Sequence, residues 1–256
     1  MDADADVEEG VTIGPYAVVE GATRIGRGTE VRAHAVVKRF TTLGRGNEVH
    51  EGADLGSEPQ DVAFAGGESY LRIGDGNRIR EGVTLHRSSK AGGTTSVGSG
   101  CFLMANAHVA HDCVVEDGAI LANNVALAGH VHVGAGAFLS GGVVVHQFCR
   151  IGRLAMVGGN AKVIQDCLPF VVTDGVPARA RAVNVVGLRR AGVGAASTRA
   201  LREACRTLLR SGLSLATALE PLASSADPLV RELAEFARSS PRGFSHAGPA
   251  DREAEG

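Results

Sequence analysis

One aliphatic residue in every six organises this chain. Val7, Ile13, Val19, Ile25, Val31, Val37, Leu43, Val49 and Leu55 run in steps of six. The step returns at Ile73, Ile79 and Leu85. After a second interruption it holds through twelve positions from Val97 to Val163. A helix repeats at 3.6 residues and a strand at 2, so neither alone accounts for six. Short strands separated by turns do, because each turn returns one branched residue to a shared interior. Three such faces make an 18-residue triangular coil, and coils stack at strand spacing, about 4.8 Å.

Such a coil builds its core from Val, Ile, Leu and Ala. The chain has no Trp, only 8 Phe and 2 Tyr, and 35 glycines, which suits many backbone positions of special φ/ψ. A net charge of −2 gives no basic field for nucleic acid. No apolar run approaches the ~18 residues of a membrane span. The first ten residues, MDADADVEEG, lack the apolar segment of a signal peptide. Five cysteines, an odd number, fit a reducing cytoplasm.

The lattice stops near residue 176. Residues 197–212 read as an amphipathic helix, with Ser197 as N-cap, a Leu201, Cys205, Leu208, Leu209 stripe and Gly212 at C′. Residues 227–240 read as another, started by Asp227 and Pro228. The expected organisation is a mainly β solenoid over 1–175, a helical domain over 176–240 and a disordered tail over 241–256.

The 18-residue coil converts sequence into geometry. His111, Gly129 and Gln147 fall in one column, and Asp112 lies below His130. His146 stands beside the first column, and His108 two strand positions before a turn. Neighbours on a flat strand face opposite ways, so His111 and Asp112 meet only if a corner bends between them. An Asp112–His130 pair is equally natural on the lattice. Either pairing gives a histidine oriented by a carboxylate, as a general base requires. A glycine at 129 allows a backbone N–H close to a developing oxyanion. No metal is expected, since the spacings are His108-x2-His111 and His130-x-His132 with no H-x4-H. Cys149 and Cys167 stack in register, and small apolar wall residues are their expected role.

The blocks between repeats are more specific. QDVAFAGG (60–67), IGDGNRIREGVTLHR (73–87), NAHVAHDC (106–113), LANNVALAGHV (121–131), VHQFCRIG (145–152), MVGGN (156–160) and VNVVGLRR (183–190) occur in this order. Together they resemble the UDP-N-acetylglucosamine O-acyltransferase family that opens lipid A biosynthesis. That resemblance implies a left-handed parallel β-helix followed by a small helical domain. It implies a homotrimer with sites between subunits, acyl carrier protein as donor and no cofactor. His111 matches the family's general base, Asp112 its orienting partner and Gly129 the oxyanion donor. Gln60, Asp61, His86, His108, His130, His146, Gln147, Asn184 and Arg190 match substrate-contacting positions, and Gly159 the position that limits acyl length. Ala63, Val186 and Ala191 replace a lysine, an acidic residue and an arginine usual in the family. Arg150, Arg153, Lys162, Arg179 and Arg181 are candidates to receive an acidic carrier. The implied reaction moves a 3-hydroxylated acyl group to the sugar 3-position. The alternatives are an amino-sugar acceptor, acetyl-CoA-dependent acetylation of a sugar, and a non-catalytic sugar-nucleotide-binding scaffold.

Overall fold

A computed structural model describes residues 1–246. Each regular hexad spends two residues on a strand. The second is the aliphatic one and points inward, as in Arg24–Ile25 and Phe138–Leu139. Three parallel sheets of 8, 10 and 8 strands result. Sheet A begins at Asp6–Val7, sheet B at Thr12–Ile13 and sheet C at Val18–Val19. Regular coils pair 18 residues apart, so Ile120 faces Phe138, which faces Met156. The lattice residues fill one continuous core that runs the length of the coil stack.

Many corners need φ > 0, which supplies part of the demand for glycine. The glycine after an aliphatic residue serves a different end. A Cβ on Gly26 would lie 2.6 Å from the Gly44 carbonyl carbon of the next coil, so coils could not stack at strand distance.

The two lattice breaks are insertions within coils. Asn77 pairs with Asn47 across 30 residues and with Cys101 across 24, yet the coils remain in register. The extra residues project as two loops, near 58–69 and 87–93. Arg87, buried, ties them together. Its guanidinium donates to the Gly67 carbonyl at 2.7 Å and to Glu58 at 3.0 Å.

Sheet B ends in an antiparallel hairpin, Val171–Asp174 with Arg179–Val183. Four helices follow: α1 (Val185–Arg190), α2 (Ala195–Arg210), α3 (Leu215–Ala223) and α4 (Pro228–Arg238). Asp227 caps α4 and Pro228 opens it, as the sequence implied. α2 starts two residues before the expected Ser197, with Gly194 as its N-cap. α1 and α3 are additions, since six and nine residues are too few for a readable period. The helices share a second core with Leu168 and Phe170.

Two corrections concern this end. The tail expected from 241 instead packs through 246. Phe244 is buried and Ser245 donates its N–H to the Asp166 carbonyl at 2.8 Å. Residues 247–256 lie outside the described residues. Arg150 and Arg153 are internal braces rather than an open carrier patch. Arg150 pairs with buried Asp166 at 2.8 Å and stacks over Phe236, while Arg153 pairs with Glu232 at 2.8 Å. All five cysteines are free and buried. Burial pushes Cys113, Cys167 and Cys205 up to about 12, so they remain thiols.

Candidate active site

The corner from sheet C to sheet A carries the expected columns. His130 donates its N–H to the His111 carbonyl at 3.0 Å, and Phe148 donates to that of Gly129 at 3.2 Å. Asp112, His130 and Phe148 occupy the left-handed turn position of successive coils, at φ 59°, 61° and 64°. The chain therefore bends between His111 and Asp112, and the two side chains meet. His111 Nδ1 lies 2.8 Å from Asp112 Oδ2, and His130 Nε2 lies 3.7 Å from the same oxygen. Both pairings that the lattice allowed are present, the first as a hydrogen bond and the second as a looser contact.

Asp112 is almost enclosed. Burial opposes its charge, but donors from Ser88, His111 and Ser89 outweigh that, and its carboxyl is held at about 2. It is a carboxylate at any working pH. It therefore accepts the Nδ1–H of His111, and in a neutral imidazole this leaves the Nε2 lone pair open.

That open edge lies against Gly129. A Cβ there would stand 2.6 Å from His111 Cε1 and 2.7 Å from Nε2. The Gly129 φ lies outside the left-handed region, so the glycine is needed to make room for the imidazole. The first turn residue of a coil has no ladder acceptor for its N–H. At some corners an acidic side chain takes it, Glu8 from Arg27 at 2.9 Å and Glu116 from Ala135 at 2.9 Å; at others, as at Gln147, it has no acceptor among the described residues. Gly129 N–H has no acceptor among the described residues. A free donor thus sits beside a free imidazole nitrogen.

The remaining histidines differ in setting. His86 and His108 meet edge to face at 5.1 Å, and His108 Nδ1 shares a 2.7 Å hydrogen bond with Thr84. Burial, then the neighbouring His108, lowers His86 to about 4; burial and His111 lower His108. His130 stacks on Phe148 at 4.5 Å, and burial lowers its pKa although Asp112 and Asp61 oppose this. These three rings thus favour the neutral form. His146 is exposed and turns back to the Gln147 carbonyl at 3.0 Å. Gln60, His108, His111, Gly129 and Gln147 line one groove of about 450 Å³. Asp61 stands in the first loop, its carboxylate accepting the Ala63 N–H at 2.9 Å. Ser88, Ser89, Thr84 and Arg87 were not foreseen as site residues; the only sequence signal was that the repeat breaks beside them.

Residues 166–245 match the family model described as UDP-N-acetylglucosamine O-acyltransferase, domain 2, and 4–39 and 94–129 match bacterial transferase hexapeptide repeats. An acyl-[acyl-carrier-protein]–UDP-N-acetylglucosamine O-acyltransferase of Gloeothece citriformis is 43% identical over 91% of this chain and 78% of its own. That of Rippkaea orientalis is 46% identical over 91% and 79%. The chain belongs to this acyltransferase family. The solved UDP-N-acetylglucosamine acyltransferase of Francisella novicida superposes with a TM-score of 0.93 at 32% identity, over 98% of this chain and 92% of that one. The Acinetobacter baumannii structure gives 0.92 at 37%, over 96% and 97%. The fold is the left-handed parallel β-helix of these acyltransferases.

Within the acyltransferase chain, three expected positions stand away from His111. Gly159 is at the corner from sheet B to sheet C, where a Cβ would meet only Gly141 O at 3.5 Å and Ser140 Cβ at 4.0 Å. Asn184 and Arg190 line a separate groove of about 540 Å³ on the outer face of sheet B, with Ile120, Phe138, Leu154 and Met156. Asn184 also caps α1. Its Oδ1 accepts the Gly187 N–H at 3.0 Å and its Nδ2 donates to the Leu154 carbonyl at 2.9 Å. The departures at Val186 and Ala191 line the same groove.

Proposed function

We propose that this chain moves a 3-hydroxylated fatty acyl group from acyl carrier protein to the 3-hydroxyl of UDP-N-acetylglucosamine, the opening step of lipid A biosynthesis. The observation that carries the mechanism is His111 Nδ1 held on Asp112 at 2.8 Å, with its other edge over Gly129. The sugar hydroxyl gives its proton to His111 Nε2 as its oxygen attacks the thioester carbonyl carbon. The charge that develops on the carbonyl oxygen is met by the Gly129 N–H. The C–S bond then breaks, and the imidazolium returns the proton to the departing thiolate. Asp112 stabilises the imidazolium throughout. No metal or redox cofactor is called for.

Gln60, Asp61, His86, His108, His130, His146 and Gln147 are assigned to the sugar nucleotide; of these, Gln60, His108 and Gln147 line the groove beside His111. Asn184 and Arg190 belong to another face, which supports a homotrimer whose sites combine His111 of one copy with the sheet B groove of the next. The outer residues of that sheet, Phe102, Ile120, Phe138 and Met156, form an apolar wall suited to a hydrocarbon chain. Gly159 is not demanded by backbone or packing, so its value lies in the open space it leaves. That favours a long acyl chain. Five free buried thiols suit a bacterial cytoplasm.

The test is an incubation of wild type and His111→Ala with UDP-N-acetylglucosamine and acyl carrier protein thioesters of graded length, read by mass spectrometry. One dominant acylated nucleotide sugar, lost in the variant, is expected. Undiminished product from the variant would remove His111 as base. Product only with an amino-sugar nucleotide would change the acceptor.

A further inference from the structure

The Asp112 carboxylate has two imidazoles to choose between, at 2.8 Å and 3.7 Å. The corner bend brings Asp112 to His111, but something must hold it there, because His130 stands near the same oxygen. The second insertion does so. Its chain leaves the lattice after His86 and folds back over the corner. Ser88 is fully buried and its hydroxyl donates to Asp112 Oδ1. Ser89 donates both its N–H, at 3.2 Å, and its hydroxyl, at 2.8 Å, to Oδ2. The Ser88 hydroxyl also accepts the Lys90 N–H at 3.0 Å, and of its two acceptors Asp112 Oδ1 is much nearer than the Lys90 carbonyl at 3.4 Å. From the other side, Thr95 accepts the Asp112 main-chain N–H at 2.7 Å and braces the left-handed turn.

The loop is itself anchored. Ser69 donates to the Ser88 carbonyl, and Arg87 donates its N–H to Ser57 at 3.0 Å. A Cβ on Gly93 would lie 2.2 Å from Ser88 Oγ, so the return of the loop is shaped around that hydroxyl. Apart from the Arg87 N–H, which continues the ladder of sheet C, none of these bonds is needed to close a coil.

We propose that residues 87–93 are a carboxylate clamp, in which Ser88 and Ser89 act as positioning residues that hold Asp112 on His111 and thereby select the imidazole tautomer able to act as base. This rests on the assignment of His111 above. Without the two serines the carboxylate is free to turn toward His130. His111 then divides between its two neutral tautomers, and the one bearing hydrogen on Nε2 cannot take a proton. The clamp touches neither substrate, so its loss lowers the rate of the chemical step and leaves binding nearly as it was.

The experiment combines steady-state kinetics with ¹⁵N NMR of histidine-labelled full-length protein. In Ser88→Ala/Ser89→Ala, kcat is expected to fall about 10- to 100-fold, the range for loss of an outer-shell partner. KM for sugar nucleotide and acyl carrier protein should change little. The His111 signals should move from the Nδ1–H form toward a mixture. Ser89→Thr keeps the donors and should recover most of what Ser89→Ala loses. A folded double variant with full kcat and an unchanged Nδ1–H signal would overturn the clamp. If the double variant does not fold, Ser89→Ala alone decides by the same two readouts. A fully active His111→Ala would overturn the base assignment instead, and the tautomer signal would still judge the clamp.

Discussion

Two corners of one solenoid share a backbone and differ in every residue that matters. From sheet A to sheet B the left-handed turn position is Gly10, Gly28, Gly46, Gly76, Gly100, Gly118 and Gly136, with Leu154 at the last coil. From sheet C to sheet A it is Ala22, Phe40, Asp112, His130 and Phe148. A residue with a Cβ in that conformation costs about 1–3 kcal/mol. The first corner is chosen for the coil alone. The second accepts repeated strain so that a carboxylate and an imidazole can stand where the chain turns outward. Residues with a Cβ also fill the turn position from sheet B to sheet C, at Tyr16, His34, Asn106, Asn124 and Asn160, so it is the side chains presented, not strain alone, that mark the site.

This contrast can be broken most severely at His111. His111→Ala should lower kcat by about 10²–10⁴-fold, the usual range for a general base, with the melting temperature little changed. Gly129→Ala should follow closely. Its Cβ would displace the imidazole and crowd the oxyanion donor, and losing such a donor costs about 10²–10³-fold in kcat. Circular dichroism should register no unfolding, because that φ is ordinary. Gly28→Ala should show the opposite split. There the added Cβ meets open space but the φ of 70° is strained, so thermal melts should give a loss of about 1–3 kcal/mol, with kcat intact.

The smallest effect is a pH dependence. Asp112 titrates at about 2 in the folded chain against an ordinary 3.8. A carboxylate with a depressed folded value adds stability above its unfolded value and loses it as pH falls through the folded one. Wild type should therefore lose more melting temperature between 3.8 and about 2 than Asp112→Asn does. An equal loss in both would mean that the clamp contributes nothing to the carboxylate's affinity for its charge.

Much of this was legible beforehand because a solenoid is nearly one-dimensional. Spacing by eighteen alone puts His111 under Gly129 and Gln147, and Asp112 under His130. The same logic failed where the chain leaves the lattice. Ser88 and Ser89 reach Asp112 across 24 and 23 residues through a loop with no period. Arg150 reads as surface charge, yet it closes on Ser240 ninety residues later. α1 depends on the Asn184 side chain for its start, not on an apolar stripe.

The sequence by itself determined the coil, its interior and the vertical neighbours of every repeat residue, because each coil repeats the hydrogen bonding and burial of the one below. The family resemblance implied that Asp112 serves His111, but only the tertiary structure supplied the physical reason. That choice depends on a corner bend of one residue and on hydroxyls brought in by an aperiodic loop, and neither leaves a trace in the spacing of apolar side chains.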